Sequence, residues 1–290
     1  MSIMTTEEFV NLMMRWGNFK ARIKSDFAKS EYAEKNRELK NKYKGERCFI
    51  IGNGASIREQ DLSLLRDEIT FVANGFCKYD KYPEISPDYY LMLDSAFFRS
   101  DSGKIMCAEI VKNLKKYNYK PVFILPYGVR EIVQDEYQWN DWATVYYIDG
   151  SMSFVDGDTK PWDITKTVPS PQNVVQVAIL LATYMGFEEI NLLGIEQTNV
   201  IDNIYNYLGK TIVHYAYEED KEAAAVALKA STLEPLEKQL LGYARIFHLY
   251  REIYHLCQAQ GIKVYNCTPG SLVDSIPYRN YEEIFGDIRG

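Results

Sequence analysis

The sequence predicts an α/β fold, a parallel sheet with helices on both faces. Three observations predict it. Short apolar runs of strand length recur along the chain. Segments of helical period separate them. The runs are apolar throughout rather than alternating, as strands buried on both faces require.

Residues 5–43 read as one helix that Thr5 or Thr6 can cap, with Glu7 and Glu8 in its first turn. Phe9, Leu12, Met13 and Trp16 give it one apolar face, then the pattern turns polar and Gly45 ends it. Strands are predicted at 47–52, 69–74, 88–94, 120–126, 142–149, 188–194 and 262–267. A short helix falls at 61–67. A longer one at 102–117 carries Ile105, Ala108, Ile110 or Val111, and Leu114 on its apolar stripe. The helix at 173–186 is apolar almost all round, hence buried, and stops at Gly186. The helix at 235–261 has a stripe at Leu236, Leu240, Tyr243, Phe247, Tyr250, Tyr254 and Cys257. No repeat and no linker divides the core, so the organisation is an N-terminal helical extension over 1–44 and an α/β domain over 45–290. Loops 126–141, 149–172 and 196–218 are long, and long loops in compact domains tend to carry function.

The bulk numbers narrow the class. The 290 residues are 47% hydrophobic and 25% charged, ordinary for a globular chain with a sizeable core. A net charge of −7 disfavours bulk nucleic-acid binding. The odd count of five cysteines, with no CxxC pair, argues against a disulfide framework. Cys48 and Cys77 lie in or beside apolar runs and read as core thiols, which places the chain in a reducing compartment, the cytoplasm. The N-terminus shows no signal-peptide pattern, and no apolar run approaches the roughly 18–20 residues that span a bilayer. Between Lys20 and Arg47, bases outnumber acids two to one. That stretch reads either as a solvated helix face or as a basic arm meeting a partner or the inner face of an anionic membrane. The apolar face at Phe9 to Trp16 packs either on the core or on another subunit.

The stretch FIIGNGASI, residues 49–57, is the strongest local signal for a site. In an open parallel sheet, ligands bind beyond the carboxyl ends of the strands. Gly52 and Gly54 let a backbone turn sharply and approach a ligand closely. Asn53 tolerates a left-handed conformation and offers donors and an acceptor. Ser56 can cap the helical turn that comes next and present N–H groups to a phosphate. The spacing is neither GxGxxG nor GxxxxGK[ST], which removes support for dinucleotide and P-loop readings. The second strand also ends in Asn-Gly, at Asn74 and Gly75, so two neighbouring strands deliver asparagines to one edge.

These residues resemble a known family. CFIIGNGASIREQDLSLLRDEITFVANGF is similar to the opening of the Campylobacter-type sialyltransferases, glycosyltransferase family 42. It is closer still to the DUF115 or MptE-like group of bacterial surface-glycan gene clusters. LATYMGFEEINLLGIE (181–196), IVHYAYEE (212–219) and GIKVYNCTPGSLVDSIPYRNYEEIF (261–285) resemble the later blocks, in the right order, across residues 44–285. The resemblance implies a Rossmann-like domain with a small lid at about 196–235. It implies a CMP-activated, sialic-acid-like donor, a lipid-linked or surface-glycan acceptor in lipopolysaccharide or capsule synthesis, inversion, and no cofactor or metal. By resemblance, Gly52, Asn53 and Gly54 line the donor's phosphate and sugar, and Asn74 meets the nucleotide. Ser170, Gln172 and Asn173 form a donor loop, His214 is the general base, and Lys166 with Tyr205 or Tyr207 holds the leaving phosphate. One departure stands out: the family's Gly-Ile-Asp is Gly194-Ile195-Glu196 here.

Other chemistry weighs less. His214 lies between an apolar stretch and an acidic run, and an imidazole can take a hydroxyl proton near neutral pH. His248 and His255 read as helix surface or packing. Asp156-Gly157-Asp158 is either a solvated turn or a D-x-D pair for a divalent ion. A Mg-dependent pyrophosphokinase of the MptE-like type would use that pair or Glu196. A non-catalytic nucleotide-sugar-binding protein is the third reading.

Overall fold

The structure, a computed structural model, describes residues 5–209 and 235–286. Seven parallel strands form one sheet: β1 (Arg47–Ile51), β2 (Ile69–Ala73), β3 (Tyr89–Leu91), β4 (Val122–Pro126), β5 (Thr144–Ile148), β6 (Glu189–Leu193) and β7 (Lys263–Asn266). Their order is β5-β4-β3-β2-β1-β6-β7. The chain winds outward from β1 to β5, then returns to the other side of β1 through β6. The crevice between the carboxyl ends of β1 and β6 is therefore the point where strand order reverses, and the architecture is Rossmann-like.

Successive side chains point to opposite faces of a strand. Along β1, Cys48 and Ile50 enter one core while Phe49 and Ile51 enter the other. The first core is covered by α3 (Val174–Met185) and the second half of α5 (Leu236–Ala259). The second is covered by α2 (Asp101–Lys116) and by Trp139, whose ring lies 4.3 Å from Phe123. Every residue of α3 from Gln176 to Met185 is buried, and Gly186 ends it with φ +89, a left-handed cap.

Several boundaries differ from the sequence expectation. The predicted helix over 5–43 stops early: α1 spans Thr6–Lys24, with Thr5 and Glu8 forming a reciprocal capping box. Ser25 turns extended, and Ser30 then caps a short second helix, Glu31–Lys35, by accepting from the Ala33 N–H. These two serines compete for backbone groups, which breaks the helix. The segment beyond the break belongs to the core rather than to an extension. Phe27, Ala33 and Leu39 are buried, and the buried Asn36 amide donates to Tyr147 O (2.8 Å) and Ile164 O (2.7 Å). The stripe on α2 is rotated from the predicted one: Cys107, Ile110 and Leu114 face inward while Ile105 is exposed. On α5, Leu236 and Leu240 are exposed; burial begins at Leu249 and Tyr250. Helix α4 (Asn199–Tyr207) occupies part of what read as a loop. All five cysteines are free and buried. None of the described helices is long and apolar enough to cross a membrane.

Candidate functional site

Two loops meet at the reversal point. The first leaves β1 as Gly52-Asn53-Gly54, and the second leaves β6 as Gly194-Ile195-Glu196. They interlock through backbone: Gly52 N–H donates to Leu193 O (2.7 Å) and Gly54 N–H to Gly194 O (3.0 Å). A Cβ on Gly52 would stand 2.3 Å from Gly194 O, so only glycine permits this approach. Gly194 has φ +63 and faces Gly52 from the other side.

Asn53 spans to the next strand, its amide donating to Ala73 O at 3.1 Å. Gly54 then leads into a short 3-10 turn, Ala55–Arg58. Ser56 does not cap this turn with its side chain. Instead its N–H donates to Glu196 Oε1 at 2.7 Å. A carboxylate of the chain itself thus takes the position where the sequence suggested a phosphate, because a helical turn's first N–H groups attract any anion. Around this bond, Asn53 Oδ1, Ser56 Oγ and Glu196 Oε2 are buried with no hydrogen-bond partner among the described residues. Such atoms are rare in native proteins and call for an explanation.

The cleft they border is lined by these loops with Ala73, Val174, Val175, Gln197, Asn199 and Asp202. Its volume is about 140 Å³, below the roughly 300–1,000 Å³ of drug-sized ligand pockets. Asn53 and Glu196, which carry two of those unpartnered oxygens, are among its lining residues. The closing segment of the chain fixes its β6 wall. Ile195 N–H donates to Thr268 Oγ1 (3.0 Å), Ser271 Oγ donates to Ile195 O (2.6 Å), and Leu272 N–H donates to Glu196 O (2.9 Å).

The structure brings some of the sequence candidates together and separates others. Gly52, Asn53, Gly54 and Glu196 line the cleft, and Ser56 adjoins it through its N–H. Asn173 is beside it: the side chain caps α3 by accepting from Gln176 N–H, and its amide reaches Gln197 Oε1 (3.4 Å) and Tyr250 Oη (3.2 Å). Gln172 is exposed and anchors that cap, its N–H donating to Gln176 Oε1. Asn74 adopts φ +53 at the end of β2, its carbonyl accepting from the Tyr90 hydroxyl, which is turn chemistry; neither it nor the buried Gly75 lines the cleft. Ser170 packs against Gly150. Tyr205 shares a face of α4 with Asp202, one turn earlier, whereas the Tyr207 hydroxyl accepts from Gln239 on α5.

Lys166 is not at the cleft. It pairs with Asp163 at 2.7 Å and borders a different pocket, with Arg22 and Trp162. The Lys166 and Thr165 hydrogen bonds to Asp163 outweigh burial, which pushes its carboxyl up, so its pKa is lowered overall. In the D-x-D stretch, Asp156 faces α5, 3.3 Å from Arg245 and 3.0 Å from His248 Nε2, and Gly157 N–H donates to Glu252. A carboxylate held by a guanidinium is a poor start for a metal site. No group of three His, Cys, Asp or Glu among the described residues could hold a metal ion. His214, the proposed base, lies outside the described residues, as does most of the proposed lid.

Gln197, Asn199 and Asp202 escape the sequence reading. Their signal is weak: a run of amides and one acid after the Gly-Ile-Glu turn. Gln197 carries φ +56, which turns the chain into α4. A scan of known protein-family models finds no match, and no curated protein matches the chain.

Proposed function

We propose that this protein is an inverting, metal-independent glycosyltransferase of bacterial surface-glycan synthesis that uses a CMP-activated, sialic-acid-like sugar. The observation that carries this reading is the cleft at the reversal point, which Asn53 and Glu196 line, with Asn53 Oδ1 and Glu196 Oε2 buried and without a hydrogen-bond partner among the described residues. Acceptor atoms of this kind complement vicinal hydroxyls, as on a ribose or a sugar, and a nucleotide sugar carries both. With Glu196 on the Ser56 N–H, that turn already holds an anion, so the donor's phosphate is expected elsewhere. The family resemblance supplies the rest. The glycosidic carbon loses its phosphate and gains oxocarbenium character. The acceptor hydroxyl attacks from the opposite face, and His214 takes its proton. Charge on the leaving phosphate is met by Tyr205 or Tyr207 and backbone N–H groups. Lys166, paired with Asp163, has no part in this arrangement.

The Mg-dependent pyrophosphokinase is the runner-up, and the Asp156–Arg245 pair weighs against its D-x-D version. A thermal-shift panel with CMP, CDP, UDP, GDP and ATP, each with and without Mg²⁺, separates them. A ligand at 100 times its Kd stabilises by about 2.7 kcal/mol, roughly 5–10 °C for a domain of this size. The expected result is a shift with CMP that does not depend on Mg²⁺. A shift with ATP alone that requires Mg²⁺ would sink the transferase reading. Stabilisation by CMP-sugar without transfer to any glycan acceptor would favour the non-catalytic binding protein.

A further inference from the structure

Helix α1 is built inside out. The residues it turns toward the body are Asn11, Met14, Asn18, Ala21 and, at its C-cap, Ser25, all half-buried. Asn18 exchanges two hydrogen bonds with the Ser153 backbone, at 2.8 Å each, and Ser25 Oγ donates to Asp149 Oδ2 at 2.5 Å. The opposite stripe is apolar and faces solvent: Phe9, Leu12, Met13, Trp16, Phe19 and Ile23 are each 51–68% exposed. Soluble proteins rarely leave a contiguous apolar stripe of this kind uncovered unless something binds it.

The charges beside the stripe say what that is. From Arg15 to Lys24 the helix carries Arg15, Lys20, Arg22 and Lys24, all exposed, and no acid. Lys20 Nζ sits 5.1 Å over the Trp16 ring, its stem along the apolar face and its charge at the rim. An aromatic and aliphatic face bordered by cations matches the boundary between acyl chains and anionic headgroups. A second copy fits less well. A parallel pair sets these cations beside one another. An antiparallel pair needs Glu8 to meet Arg22, but Glu8 is held by the Thr5 N–H and Arg22 by Met152 Sδ.

We infer that α1 seats the protein on an anionic lipid surface, with Phe9, Leu12, Met13, Trp16, Phe19 and Ile23 in the interface and Arg15, Lys20 and Lys24 on the headgroups. The helix is tied to residues 149–153, which leave the carboxyl end of β5. The cleft opens at that same edge of the sheet. A lipid surface bound there would suit a lipid-linked acceptor if the transferase reading holds.

The test is sedimentation of the full chain with phosphatidylcholine vesicles, with and without about one-third phosphatidylglycerol. The expected result is binding to the anionic vesicles only, with a blue shift of Trp16 emission. Lys20→Gln with Lys24→Gln should weaken partitioning on the order of tenfold or more. Trp16→Glu, at an exposed position, should abolish binding while far-UV circular dichroism and the melting point stay unchanged. No binding to anionic vesicles, or binding unaltered by Trp16→Glu, overturns the inference. So does a dimer in light scattering that Trp16→Glu converts to monomer without any vesicle binding. None of these readouts uses nucleotide or sugar transfer, so the inference fails or stands apart from the proposed activity.

Discussion

Gly54 offers a direct test of how the cleft is held. Its backbone is ordinary and extended, φ −71 and ψ 154, so alanine is conformationally acceptable there. What forbids a side chain is room: a Cβ would stand 1.3 Å from Glu196 Oε2. Gly54→Ala must therefore evict the Glu196 carboxylate from the Ser56 N–H. That bond has a charged acceptor, a class whose loss costs about 1.5–3 kcal/mol. Glu196→Ala loses the same bond, yet it opens the space that an alanine methyl at 54 would fill. Each single substitution should cost about 1.5–3 kcal/mol, and the double about as much as either single. Urea unfolding of the four proteins measures this through their midpoints at a shared slope. Costs that simply add, within about 0.5 kcal/mol, would refute the steric account of Gly54.

Other predictions probe the surroundings. Gly52→Ala meets backbone at Gly194 O rather than a flexible side chain, so it should cost about 1–3 kcal/mol with no rescue by Glu196→Ala in the same unfolding assay. Ile110→Ala should lose about 2–5 kcal/mol, while Ile105→Ala, on the exposed side of α2, should stay within about 0.5 kcal/mol. Asn173→Ala removes the α3 cap and should cost about 1–2 kcal/mol, seen as a lower melting point. Burial pushes the Cys107, Cys257 and Cys267 thiols up to about 12, and Cys48 and Cys77 upward as well. The folded chain at pH 8 should then alkylate slowly, with all five thiols reacting after denaturation. The unfolded chain's thiols ionise near pH 9 while the folded ones keep their protons. Stability should therefore fall as pH rises past about 9, by about 1.4 kcal/mol per pH unit per thiol, as pH-resolved melting would record.

The sheet was legible because burial on both faces leaves a plain mark in its inner strands: runs such as CFII and VFIL have no polar alternation. Strand ends were less so: β3 has three residues, and Asp94, expected inside the strand, instead accepts from the Ala96 N–H. The break after α1 was present in Ser25 and Ser30 but was masked by helix-forming neighbours. Facing direction was the hardest property to read. On α1 the apolar stripe suggested packing, while hydrogen bonds from Asn18 and Ser25 decided which side meets the body. At the site, the Gly-Asn-Gly turn and Glu196 were legible as participants, but their mutual contact was not. Residues 54 and 196 meet only because β6 returns beside β1, and nothing local in either segment encodes that.

The last stretch of chain laces the cleft shut from behind. Thr268, Ser271 and Leu272 hold the β6 loop, Gln60 donates to Cys267 O (2.8 Å), Tyr281 donates to Asp61 O (3.0 Å), and Phe285 stacks on Phe49. During synthesis, both loops of the cleft leave the ribosome long before this lacing does. A nascent chain can thus assemble most of its sheet while the cleft is still unbraced. A product cut short before Thr268 would lose both this bracing and the buried Val273, Ile276, Tyr281 and Phe285.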